Sequence, residues 1–367
     1  MHVLGRTDET GPAVHLGAYR AADGSDGAAV GLDLEHPHAA VVVGKRGYGK
    51  SHTLGVLAED AARTAGVAPV IVDPMGEFGG LAATDGAVPA TVVEAPTVPA
   101  DTLPPASWPE LFDLSSTDPV GALLWEAASH ASSLGAMTTY VHDSGADADV
   151  RRAARNHLHL ADSWGVFDAA GLDADALLST QATVLDCAGL DDRATAVLVR
   201  AVAAGLYETC VEEDPPRLPW LLIDEAHAFV GGVAEPALET VVTRGRSPGV
   251  SLVVATQRPR ALPPVTVSQA DLLLAHRLTA DEDIEGLAAA TPTYLSGSLR
   301  ERLPSDPGAA VVVDDVTESV HGIQVRERET PDHGADPRVS ARQSSSDVPQ
   351  SGHSPSTTGT GAAHSGQ

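Results

Sequence analysis

The stretch AAVVVGKRGYGKSHTLGVLAED, residues 39–60, passes from an unbroken run of small and β-branched residues through a glycine-rich loop into helical spacing. The run 39–43 predicts a buried strand, and the apolar positions after Lys50 recur at helical intervals to near Gly66. A second buried run, APVIVDP at 68–74, follows. Strand, loop, helix and strand in that order are the βαβ opening of a parallel sheet. The loop itself, Gly44-Lys45-Arg46-Gly47-Tyr48-Gly49-Lys50-Ser51, fits the spacing G-x-x-x-x-G-K-S/T. Its glycines let consecutive N–H groups point inward, and the helix N-terminus adds partial positive charge to that anion nest. Lys50 is placed to reach between the β- and γ-phosphates of ATP, and Ser51 to set its hydroxyl on Mg²⁺. Gly44, Gly47, Tyr48, Gly49 and His52 complete the expected nucleotide-binding set.

Lys45 and Lys50 are the only lysines, against 21 arginines. The planar fork of arginine does not enter a phosphate nest as a compact ammonium does, which explains the lysine at 50. Lys45 stands at a variable position of the pattern, which gives no reason for a lysine there.

Further strand-like runs lie at 182–188, 219–225, 250–256, 271–277 and 308–314, the first four separated by helical stretches. An α/β fold with a mainly parallel sheet flanked by helices follows. Residues 1–35 read as a short β segment around a Gly/Asp-rich turn, 36–330 as the core, 84–181 within it as an irregular and helical insertion, and 331–367, rich in Ser, Gly, Pro and Thr, as a disordered tail. The run PWLLIDE ends in Asp224-Glu225. After a phosphate loop, that pair reads as a magnesium ligand (Asp224) and an acid that orients the attacking water (Glu225), although such pairs also occur as solvated turns. Lys50 and Glu225 are expected on adjacent strands. Gln257 closes the run VSLVVATQ, at the strand end where an open parallel sheet binds ligands, and is read as a sensor of the γ-phosphate or as a plain turn before Pro259. Arg244 and Arg246 fit either an arginine finger reaching a neighbouring subunit's nucleotide or solvated surface charge, and His276-Arg277 is a lesser candidate of the first kind. The pairs His36/His38 and His157/His159 lack the further ligands of a closed metal site.

The formal charge is -27, from 50 acidic and 23 basic residues. Such a surface suits a salt-rich, halophilic cytoplasm. In concentrated salt, counterion release contributes little, so the charge does not exclude a DNA partner. Cys187 and Cys210 lie among apolar residues without metal-type spacing and read as buried thiols. No run approaches the roughly 18 apolar residues of a membrane span, and the N-terminus lacks a leader pattern, so a cytoplasmic protein without a membrane partner is expected.

Taken in order, VVVGKRGYGKS, VDPMGEF, LLIDEAHAFV, RGRSPGVSLVVATQRP, LAHRLTADEDI and VRERETPDHGADP resemble the HerA group of the HerA/FtsK ATPases. The resemblance spans residues 30–336. It implies a RecA-like P-loop NTPase core, a homo-hexameric ring with ATP sites between subunits, and translocation of double-stranded DNA. For archaeal members it implies work beside a NurA-type nuclease in end resection and repair. By motif it gives Lys50 and Ser51 to the phosphate loop, Asp224 and Glu225 to the metal and catalytic acids, and Gln257 to the sensor. Three features depart from the family: Met75 stands where a histidine is usual in Asp73–Glu77, residues 1–35 are short for the N-terminal barrel implicated in nuclease docking, and 84–181 is shorter and more irregular than a full helical bundle. The short N-terminus and the lack of a basic cluster keep a second reading open, a nucleotide-regulated assembly or protein-transport coupling ATPase that does not act on DNA.

Overall fold

The computed structural model describes residues 1–8, 10–21, 24–83, 88–229, 232–290 and 299–331. The tail expected from 331 onward lies, from 332, outside the described residues.

Among the described residues twelve strands form one sheet: β1 (His2–Leu4), β2 (Ala13–Arg20), β3 (Asp26–Asp33), β4 (Ala39–Val43), β5 (Val67–Asp73), β6 (Thr91–Glu94), β7 (Thr183–Asp186), β8 (Leu218–Ile223), β9 (Ser251–Thr256), β10 (Leu272–Ala275), β11 (Ala309–Asp314) and β12 (Ser319–Val325). Their spatial order is β1-β3-β2-β12-β11-β10-β4-β9-β8-β5-β7-β6. From β10 to β6 every neighbouring pair is parallel. From β10 through β11, β12 and β2 to β3 the pairs are antiparallel, so the N-terminal hairpin β2–β3 extends the same sheet.

The alternation of side chains explains why β4, β8 and, up to Asp73, β5 are apolar. Val41, Val43, Val70, Val72, Leu221 and Ile223 face one cluster, which includes the helix Asp192–Glu212 and much of the insertion. Ala40, Val42, Ile71 and Leu222 face the other, with Leu54 and Leu57 of α1 (Lys50–Arg63) and with Val14, Leu16, Val30 and Leu32 of the hairpin. A strand covered on both sides has no reason to alternate polar residues. Helix Asp192–Glu212 is long and apolar enough to span a membrane by composition, but 61% of its apolar window is buried within the protein, against β8 and the helix Glu235–Arg244. In the insertion, the helices Pro119–His130, Leu134–Asp143 and Ala148–Ser163 pack on one another.

Against the expectation from sequence, Lys50 and Glu225 do not stand on adjacent strands, because β9 lies between β4 and β8. Lateral strand order depends on crossovers that no local pattern records.

At the amino ends of β4 and β10 lies a buried charge network. His38, 2% exposed, places Nδ1 2.6 Å from Asp271 and Nε2 3.2 Å from Asp33. Arg6 closes on Asp33 at 3.2 Å and Arg246 on Asp271 at 2.9 Å. Burial pushes the imidazole pKa down, but the two carboxylates outweigh it and raise it to about 9. The sign follows: stability from a protonated His38 is whole below the unfolded value near 6.5 and is lost as pH rises through about 9. Denaturant unfolding is expected to weaken by about 3 kcal/mol between pH 6 and 9.5. In His38→Ala that pH-dependence should vanish, and a variant that kept it would locate the titration elsewhere.

Candidate active site

The phosphate loop leaves β4 and enters α1 under firm backbone control. The N–H of Gly44 donates to the carbonyl of Thr256 at 3.3 Å, that of Lys45 to Arg277 at 2.7 Å, and that of Gly308 to Tyr48 at 3.1 Å. Gly47 and Gly49 take φ of +80° and +117°, in the left-handed region where a side chain is strained. The loop is braced from β10. His276 is buried, with Nδ1–H donating to the carbonyl of Ala309 at 2.8 Å and Nε2 accepting from the hydroxyl of Thr53 at 2.9 Å. Burial drives its pKa down to about 4, so it is a neutral strut. Arg277 lies over the Tyr48 ring at 5.2 Å and donates to the carbonyl of Ser305 at 3.1 Å, which engages it within its own subunit. His52 turns its ring away to Arg326, Nε2 lying 2.7 Å from that carbonyl, which leaves its backbone N–H as its contribution to the nest.

Four consecutive strands, β4, β9, β8 and β5, end at this edge and deliver the expected residues together. Ser51 donates its hydroxyl to Asp224 at 2.6 Å. Asp224, 1% exposed, also accepts the N–H of Glu225 at 2.8 Å. Burial raises the Asp224 pKa, against the pull of Ser51, the Glu225 N–H and Lys50. Lys50 is itself buried, at 4% exposure, so its ammonium faces inward. Glu225 sits at φ 47° and ψ 38°, a left-handed conformation unusual for a non-glycine residue and typical of strained functional positions. Its carboxylate accepts from Gln257 Nε2 at 3.3 Å. Burial and the nearby Glu77 raise the Glu225 pKa, while Lys50, Gln257 and Arg46 lower it.

Ser51 and Asp224 are hard oxygen donors with touching side chains, the donor set a magnesium ion takes from a protein. They fit the ion, and no softer ligand stands among them.

His227 and Arg258 had no role in the sequence reading, and Asp73 stood there only as the first residue of a family-like segment. His227 Nδ1 lies 3.2 Å from both the Thr256 hydroxyl and the Glu225 carboxylate, and burial, then Arg258 and Lys50, hold its pKa down. Arg258, exposed at the end of β9, brings positive charge to the same edge. Asp73 accepts the N–H groups of Met75, Glu77 and Phe78 at 3.3, 3.0 and 2.8 Å, and so fixes the turn that carries Glu77. Only the DEAH spelling at 224–227 could have pointed to the first of these.

Residues 14–156 match the family model described as the central domain of helicase HerA. Over those residues the chain is similar to the HerA central domain. The match takes in the phosphate loop and ends before the acid pair. Among solved structures, VirB4 of Thermoanaerobacter pseudethanolicus is similar over 89% of this chain and 99% of that one, with a TM-score of 0.66 at 18% identity. The bacterial conjugative coupling protein TrwB has a TM-score of 0.58 at 15% identity, over 82% of this chain and 87% of that one. Its complex with the non-hydrolysable ATP analogue ADPNP also has a TM-score of 0.58, at 16% identity over 82% and 88%. These likenesses are of fold. No curated protein sequence matches.

Both candidate finger arginines lie far from their own phosphate loop. Arg244 ends the helix that returns from β8 to the amino end of β9, and Arg246 pairs with Asp271 just before β10 begins. Neither is brought to the Lys50–Glu225 cluster of its own subunit.

Proposed function

We propose that the protein hydrolyses ATP as a ring-forming motor that moves double-stranded DNA in the cytoplasm. The observation that carries this reading is the meeting of Lys50, Ser51, Asp224, Glu225 and Gln257 at one sheet edge, from three neighbouring strands. The nest of N–H groups and Lys50 hold the β- and γ-phosphates. Magnesium, held by Ser51 and Asp224, supplies charge neutralisation on the phosphate oxygens when bound. Glu225, pinned by Gln257 and by its left-handed backbone, accepts a hydrogen bond from water and aligns it on the γ-phosphorus. Loss of the γ-phosphate frees Gln257, which relays the change along β9. Arg244 or Arg246 completes a neighbouring subunit's site, which makes turnover depend on a homo-oligomer, a hexamer on the family pattern.

DNA enters through the family match, whose printed description is a helicase. DNA end resection and repair are the processes we assign to it, with a NurA-type nuclease as partner only if the β1–β3 segment suffices for docking. The acidic surface favours the second reading, a protein-transport or assembly ATPase. ATPase assays in molar KCl separate the two. Stimulation of turnover by duplex DNA supports the motor. Mg²⁺-dependent turnover indifferent to DNA, with no duplex bound, would move the assignment to the second reading.

A further inference from the structure

We propose that Lys45 is a second phosphate-binding cation of this site, its ammonium engaging a γ-phosphate oxygen of ATP. The inference rests on the ATP-hydrolysing reading and adds a residue to it.

Lys45 has a fixed root and a free end. Its N–H donates to Arg277 at 2.7 Å and its carbonyl accepts from Tyr48 at 3.2 Å, while the side chain is exposed and makes no ion pair among the described residues. Three of the chain's arginines are employed differently. Arg6, Arg193 and Arg326 spread their forks over carbonyls and carboxylates at once. Arginine is also tolerated at the loop tip, since it occupies position 46, so a lysine next door meets a need that a broad fork does not. A compact point charge suits a single phosphate oxygen.

The surrounding charge points the same way. The chain has 50 carboxylates in 367 residues, yet none from 36 to 58. Lys50 and Arg46 already face the carboxylates of the site, Asp224 and Glu225 for Lys50 and Glu225 for Arg46, whereas Lys45 makes no ion pair among the described residues. In a protein of charge -27 an unpaired ammonium is fitted to an anion, and the loop that carries it has the spacing of a triphosphate nest. The γ-phosphate belongs either to the subunit's own ATP or to that of a neighbouring copy docked on the loop.

The test uses the full chain with Lys45→Ala and Lys45→Met, the second keeping the apolar stem. Calorimetry with ATPγS and with ADP is expected to show ATPγS affinity reduced about tenfold to a hundredfold, the value of one charged hydrogen bond, and ADP affinity unchanged. Turnover should fall in parallel. Unchanged ATPγS affinity and turnover would overturn the inference, as would equal losses for both nucleotides, the mark of a deformed loop. Mixing Lys45→Ala with Lys50→Ala protomers distinguishes the sources: activity above the sum of the two assigns Lys45 to the neighbour's ATP, and no gain assigns it to its own. A wild-type protein that binds ATPγS but does not hydrolyse ATP would refute the hydrolysis reading and leave the calorimetric test of Lys45 intact.

Discussion

Glu225→Gln is expected to reduce ATP turnover by at least about a hundredfold, the lower range for losing a positioned acid–base group, while ATP binding persists. The amide keeps the shape and can still meet Gln257, but it lacks the negative charge that aligns and polarises water. Backbone geometry is retained too, because the left-handed turn at φ 47° belongs to the chain path after β8 rather than to the carboxylate. Single-turnover hydrolysis beside equilibrium binding of labelled ATP measures the separation. A variant that bound and hydrolysed at wild-type rates would remove Glu225 from the reaction.

Lys50→Ala is expected to fail one step earlier. The ammonium is buried beside Asp224 and is the cation of the nest, so its removal should lower ATP affinity on the order of a hundredfold through lost charge-assisted hydrogen bonds, and turnover with it. Calorimetry with Mg²⁺ and ATPγS reads the affinity, and circular dichroism confirms the fold. Retained affinity would show that the triphosphate does not lie over α1. The two variants thus differ in kind: binding without hydrolysis for Glu225→Gln, neither for Lys50→Ala.

The residues legible in the sequence were those whose chemistry is local. A phosphate loop must follow a strand and open a helix, so eight consecutive positions announce it, and the acid pair and Gln257 stand at the ends of apolar runs for the same reason. What could not be read depends on long-range contact. The place of β9 between β4 and β8 is a matter of crossover, and β12, spelled SVHGIQV, lacks a clean alternation because its residues are only partly buried. β6 is four residues long, sits in a proline-rich stretch and lies at the sheet's edge. His276 reads as a finger's neighbour in sequence, but its partners Thr53 and Ala309 come from distant segments and make it a strut. His38 looked like half of an incomplete metal pair, and its true partner Asp271 lies more than two hundred residues away.

The account depends on one triphosphate lying between α1 and the end of β8. The most direct measurement is a structure of Glu225→Gln with Mg²⁺ and ATP. The γ-phosphate is predicted to sit between the ammonium of Lys50 and the side chain at 225, with the ion on Ser51 and Asp224. Nucleotide bound at another edge of the sheet, or a γ-phosphate out of reach of residue 225, would contradict it.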